Sequence, residues 1–203
     1  MRGGIKMGLA VVILAGGEGL RIGGGKPLRR LGGRRLIDHA LDLAGRLSPH
    51  VAVSVRAGAR LPDVAAAQIE DEQADWGPLA GLDAALRHAD ALDQDRLLTL
   101  PCDSPFLPAD LLVRLAGALT ASLGASIASS DGQLHPVCAL WRTEAHRLLA
   151  DYVATGRRSL LGFAERPGFA AVEWPVGPVD PFFNINTQQD LARAEELIRG
   201  RQG

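Results

Sequence analysis

An α/β fold with a mostly parallel central sheet is what this sequence predicts, on three observations. Leu9–Leu14 is an unbroken apolar, β-branched run, the mark of a strand covered on both faces. A glycine-rich loop follows it directly. Beyond the loop, short apolar runs alternate with segments whose apolar residues recur at helical spacing, as in strand–helix–strand units.

Leu36, Ile37, Ala40, Leu41, Ala44 and Leu47 share one helical face, and Val51–Val55 reads as the second strand. A short strand is expected to end at Ile69. Pro78 sits where proline suits a first helical turn and opens a helix rich in Ala and Leu. Arg96–Leu100 is a further buried strand. Pro108 opens a helix carrying Leu111, Leu112, Leu115 and Leu119. Ala125–Ser129 and Val137–Trp141 read as strands, Glu144–Ala154 and Ser159–Ala164 as helices, and the proline-rich stretch Trp174–Pro181 as a surface crossing. Phe183–Asn186 is short and extended. Thr187 and Asp190 then make a capping-box-like start to a helix with Leu191, Ala194 and Ile198 on one face.

Composition limits the function classes. The chain has 203 residues, 47% hydrophobic and 22% charged, which suits a single folded domain rather than a disordered chain. Its formal net charge of -1 gives no polybasic surface for nucleic acid or anionic membrane, so neither is expected as a partner. Arg2 and Lys6 before the apolar run faintly imitate a secretory leader, but Gly-Gly and no small-x-small site follow it. Cys102 and Cys138 form no metal or disulfide pattern, and a reducing cytoplasm is the expected setting.

The loop Leu14-Ala15-Gly16-Gly17-Glu18-Gly19-Leu20-Arg21-Ile22-Gly23-Gly24-Gly25-Lys26 holds six glycines in ten residues, with Arg21 and Lys26 at intervals. Crowded backbone N–H groups and two cations suit a polyphosphate, although a glycine run can also be a plain surface loop. Neither the Walker sequence nor the dinucleotide fingerprint fits: Leu20 and Pro27 break the first, and Ile22 breaks the second. Asp103 ends the strand Arg96–Leu100 on the edge where open α/β sheets bind ligands. Its carboxylate suits Mg²⁺ shared with substrate phosphates, or an Asx turn. Asp71 ends another strand on that edge, to meet a base or sugar or to cap a loop. His135-Pro136 and Cys102 read as structural, and no nucleophilic triad is legible by spacing.

The loop Leu14-Ala-Gly-Gly…Arg21…Gly-Gly…Lys26 resembles the signature loop of nucleotidyltransferases with a Rossmann-like fold. Within them the chain is similar to the molybdenum cofactor guanylyltransferase family. Four further segments carry that likeness, in family order over nearly the whole chain: Glu70-Asp71 with Gly77-Pro-Leu-Ala-Gly81; Pro101-Cys-Asp103-Ser-Pro105; His135-Pro136; and Phe183-Asn-Ile-Asn-Thr187 with Asp190-Leu191. The resemblance implies a three-layer α/β/α sandwich and Mg²⁺-dependent transfer of GMP from GTP to Mo-molybdopterin, with release of pyrophosphate. It places GTP on Leu14, Ala15, Gly16, Gly17, Lys26, Ser54, Asp71 and Asp103, the metal on Asp103, and the acceptor on Asn184 and Asn186. Lys26, Arg21 and Asp103 become the catalytic set, working by charge compensation. The nucleotide part runs to about residue 105, with the acceptor part after it, in one domain spanning 1–203. Molybdoenzymes or their chaperones are implied as transient partners. One departure stands out: the family reads Gly-Gly-x-Asp-Lys where this chain has Gly-Gly-Gly-Lys, one residue shorter and without the aspartate. Cytidylyl or other nucleotidyl transfer, and a nucleotide- or pterin-binding protein without turnover, are the competing readings.

Overall fold

The computed structural model describes residues 8–16 and 25–200. In chain order the strands and helices are β1 (Leu9–Leu14), β2 (Arg30–Leu31), β3 (Arg34–Arg35), α1 (Leu36–Leu47), β4 (His50–Arg56), β5 (Ala67–Asp71), α2 (Pro78–Ala91) and β6 (Arg96–Pro101). They continue as α3 (Leu111–Ala118), β7 (Ala125–Ser130), β8 (Gln133–Arg142), α4 (Leu149–Ala154), α5 (Leu160–Ala164), β9 (Phe169–Trp174) and α6 (Gln188–Gly200).

Seven of the described strands form one sheet, in the order β5-β4-β1-β6-β8-β7-β9. The half that ends at the loop is parallel: β5, β4, β1 and β6 all point the same way. β8 runs antiparallel to both β6 and β7, and β9 pairs in parallel with β7 at the edge. β1 lies at the centre because its side chains are apolar on both faces. Ala10 and Val12 enter a core with residues of α2, α4 and α5, while Val11 and Ile13 enter a second core with α1 and α3. All four are 0% exposed, so helices cover both sides of the strand and the expected three layers are present.

A third, smaller core is built on the β2–β3 hairpin. Leu31, Leu36, Ile185 and Ala194 are its buried residues, with Leu191 and Ile198 of α6 packed against them. The Thr187–Asp190 capping box forms as expected: Thr187 Oγ1 accepts from the Asp190 N–H, and Asp190 Oδ2 accepts from the Thr187 N–H at 2.8 Å. This box fixes where Phe183–Asn186 ends, and so matters for the site.

Several expectations change. Glu144–Ala154 is not one helix; a 3₁₀ segment, Thr143–Leu148, precedes α4. The helix after Pro108 starts at Leu111, and β5 passes Ile69 to end at Asp71, the strand end expected of that carboxylate. β8 starts at Gln133, ahead of Val137, because the strand tolerates Pro136 through a shift of register: Ile127 faces Ala139, but Ala128 faces His135. Proline has no N–H for the ladder, so an irregularity there is expected. Phe183–Asn186 joins no strand. The β2–β3 hairpin and β9 have no counterpart in the sequence reading. No helix among the described residues is long and apolar enough to cross a membrane.

Candidate active site

The parallel strands deliver their carboxyl ends to one edge, and a cleft of about 700 Å³ opens there. Leu14 and Gly16 leave β1 into its wall, Ser54 and Arg56 come from β4, Asp71 from β5, and Cys102 and Asp103 follow β6. The N-terminus of α2 supplies Gly77, Pro78 and Gly81. Gly77 has φ 56° and ψ −133°, a backbone shape open to glycine and strained for other residues, and it turns the chain into the helix. The first turn of α2 carries no acidic side chain, so its positive end is unneutralised from within the helix.

Two glycines keep the cleft open. A side chain on Gly81 would put its Cβ 3.2 Å from Ser54 Oγ, and one on Gly16 would put its Cβ 3.2 Å from Asp71 Oδ2. Ser54 Oγ itself is buried and has no hydrogen-bond partner among the described residues, an arrangement that suits a ligand able to supply one. At the same end, Arg56 Nε donates to the carbonyl of Gly16 at 2.7 Å. Asp71 Oδ1 accepts from the Ala57 N–H at 3.2 Å. Burial lifts the Asp71 carboxyl above its ordinary range, against that N–H and the charge of Arg56.

At the other end, Lys26 is the hub. Its ammonium is ion-paired with Asp103 and donates to Asn186 Oδ1 at 2.7 Å. Only 12% of the Lys26 side chain is accessible, so this loop cation is largely covered. A short 3₁₀ turn, Lys26–Leu28, holds it there, entered through Gly25 in the left-handed region at φ 57°. Ser104 Oγ is hydrogen-bonded to Asn184 Oδ1. Between the two asparagines, Ile185 is fully buried and its N–H donates to the Asp103 carbonyl at 3.0 Å. The extended shape expected of Phe183–Asn186 is therefore held without a sheet, because the buried isoleucine and the backbone bond to Asp103 do the work of a ladder.

The predicted residues are thus mostly gathered, though not all in the cleft wall. Ala15 lies at the strand end, with its N–H on the Ser54 carbonyl, but packs toward the α1 and α3 side. Asn184 and Asn186 stand beside the cleft. Gly17 and Arg21 lie outside the described residues. Sequence reasoning missed Arg56, Ser104, Val137 and Leu160; only Ser104 carried a signal, its place next to Asp103. Cys102 is no nucleophile: burial pushes its thiol up to about 12, and the Asp103 charge adds to the shift. Cys138 is pushed up as well by burial.

The model of the MobA-like NTP transferase domain matches residues 11–167, most of the chain. A molybdenum cofactor guanylyltransferase of Cereibacter sphaeroides is 39% identical over 195 residues, spanning 95% of this chain and 98% of the relative. The chain belongs to the molybdenum cofactor guanylyltransferase family. A second guanylyltransferase, from Sinorhizobium fredii, is 38% identical over 200 residues, spanning 92% of this chain and 90% of its own. Among solved structures, molybdopterin-guanine dinucleotide biosynthesis protein A from Archaeoglobus fulgidus superposes with TM-score 0.74 and 29% identity, covering 94% of this chain and 99% of that one. The 2-C-methyl-D-erythritol 4-phosphate cytidylyltransferase of Thermus thermophilus, at TM-score 0.67 and 21% identity, shares the fold. The nucleotidyltransferase class and the Rossmann-like fold expected from the guanylyltransferase motifs both stand.

Proposed function

We propose that this protein transfers GMP from GTP to the terminal phosphate of Mo-molybdopterin, giving the guanine dinucleotide form of the cofactor and pyrophosphate. The observation that carries the reading is the position of Lys26, whose ammonium touches both Asp103 and Asn186 at the junction of two subsites. GTP occupies the cleft. Leu14 and Gly16 line it, Ala15 joins them at the strand end, Ser54 offers its buried hydroxyl, and Asp71 offers a carboxylate. Guanine carries N–H donors on its pairing edge, which a carboxylate acceptor suits. Asn184 and Asn186 take the pterin side, and residues beyond about 105 form the acceptor half. Gly17 and Arg21 belong to the same loop and join the nucleotide contacts in this reading.

An acceptor phosphate oxygen attacks the α-phosphorus of GTP. The new P–O bond forms as the bond to the β-phosphate oxygen breaks, and pyrophosphate leaves opposite the attack. Both reactants are anions, so the protein's work is neutralisation and alignment. Lys26 moves its charge onto the triphosphate, and the α2 N-terminus adds to the local positive potential. The divalent metal implied for such a reaction is tested by the donor set. Asp103 is one carboxylate facing the cleft, and no group of three metal-binding side chains occurs among the described residues. One carboxylate with substrate oxygens is a Mg²⁺ arrangement, so the residues fit, and Asp103 would hold the ion. When bound, Mg²⁺ would screen charge on the phosphates. The product is itself a cofactor, so molybdoenzymes or their chaperones are its transient recipients, in the cytoplasm.

Pyrophosphate release measured with each nucleoside triphosphate and Mo-molybdopterin tests the reading. GTP is expected to exceed CTP, ATP and UTP by roughly 100-fold or more in kcat/KM. Equal use of CTP would reassign the base. Replacing both asparagines, Asn184→Ala with Asn186→Ala, is expected to weaken molybdopterin binding about tenfold or more, since two amide contacts go. GTP binding should shift far less, through Lys26 alone. Calorimetric titration of each ligand separates the two, and equal losses would make the pair structural.

A further inference from the structure

The motif His135-Pro136 plays no part in the reaction above, yet the structure ties it to the acceptor side. His135 sits on β8 beyond the register shift and is partly buried. Its Nε2 lies 2.8 Å from Ser130 Oγ, and that hydroxyl lies 3.0 and 3.1 Å from the two carboxylate oxygens of Asp180. A carboxylate only accepts, so the serine proton points to Asp180 and the imidazole donates from Nε2. Asp180 also accepts from the Phe182 N–H at 2.8 Å. The imidazole then stacks on the Phe182 ring, with centroids 4.7 Å apart and planes at 18°. This is not a nucleophilic triad. The imidazole donates to the hydroxyl and so cannot take its proton, and Ser130 is 1% exposed, closed to a substrate.

We propose that His135 is a positioning residue for the acceptor, acting with Ser130 and Asp180 to set Phe182 and, through it, Asn184 and Asn186. The path is short and continuous. Phe182 is held at its ring by His135 and at its N–H by Asp180; Asn184 is held by Ser104, Ile185 by the Asp103 carbonyl, and Asn186 by Lys26. Phe183–Asn186 has no ladder partners, so such point anchors carry the register that a sheet would otherwise impose. The charges facing His135 are Asp180, from the stretch that follows β9, and Glu173, from β9; β7 presents serines. Burial outweighs both carboxylates and holds the imidazole below its usual range, so it is neutral near pH 7 and donates from Nε2.

The proposal rests on the reading of Asn184 and Asn186 as acceptor contacts, and its test separates the two. Steady-state kinetics are measured with GTP and Mo-molybdopterin varied in turn. His135→Phe keeps a ring for Phe182 but removes the donor. It is expected to raise the acceptor KM about five- to tenfold with the GTP KM within about twofold of the parent. His135→Gln places an amide N–H where Nε2 was and is expected to recover most of the loss. Should His135→Phe not fold, Ser130→Ala breaks the same link and carries the same expectation. An unmoved acceptor KM, or a parallel rise for both substrates, overturns the positioning role. Asn184→Ala, run alongside, is expected to raise the acceptor KM. If it does while His135→Phe does not, the positioning role alone fails; if it does not, the acceptor reading fails and the proposal with it.

Discussion

Asp103→Asn is expected to lower kcat/KM by about 10³, with a modest fall in the melting midpoint because the covered Lys26 ammonium loses its counter-charge. The substitution removes one negative charge and almost no volume. The new amide oxygen can still accept from the Lys26 ammonium, and the backbone carbonyl of residue 103 still receives the Ile185 N–H. The segment Phe183–Asn186 therefore stays docked. What is lost is the carboxylate that would hold the divalent ion beside the triphosphate. The informative measurement is turnover against Mg²⁺ concentration, with the thermal midpoint as control. A variant that turns over near the parental rate with the same metal dependence would remove Asp103 from the metal site.

Lys26→Ala is expected to cost about 10²–10³ in kcat, with a smaller loss in GTP affinity. Charge on the leaving pyrophosphate grows as the reaction proceeds, so a cation placed for it contributes more in the transition state than in the ground state. The structure adds a stability effect. Lys26 is largely covered and paired with Asp103, so its removal leaves a partly buried carboxylate without its counter-charge and Asn186 without its donor. That costs about 1–3 kcal/mol. Lys26→Arg keeps the charge and should recover the stability better than the rate, because a planar fork does not reproduce a compact ammonium. Parental kinetics in Lys26→Ala would show that the lysine serves only to tie Asp103 to Asn186.

The two variants also test how the halves communicate. Sequence reasoning assigns Lys26 to the nucleotide and Asn186 to the acceptor. In the folded chain they are 2.7 Å apart, so a change at either is felt by the other. A double-mutant cycle between Lys26→Ala and Asn186→Ala should accordingly be non-additive in kcat/KM.

Much of this protein is legible in its sequence, and the reasons are local. Leu9–Leu14 is apolar at every position, and only a strand covered on both faces can bury such a run. Pro78 and the Thr187–Asp190 pair mark helix starts because the chemistry of a helix N-terminus involves neighbours in the chain. The glycine-rich loop, Asp71 and Asp103 could be placed on one edge because parallel strands deliver their carboxyl ends together. The family resemblance added the roles that spacing could not assign.

Tertiary structure decided the rest, where the cause lay far away in the chain. The β2–β3 hairpin is too short to show a period, and α6 completes its core from the other end of the sequence. β8 could be read only from Val137 onward, because Pro136 looks like a strand breaker until the register shift at Ala128 accommodates it. Nothing in the sequence shows that the Ser54 hydroxyl is buried without a partner among the described residues, since that depends on Gly81 closing against it. Nor does sequence join Lys26 to Asn186, or His135 to Asp180. Side chains so distant along the chain meet only when the sheet and the third core are both assembled, so the residues of the site were readable one by one, but the contacts that make it a single site were set by packing.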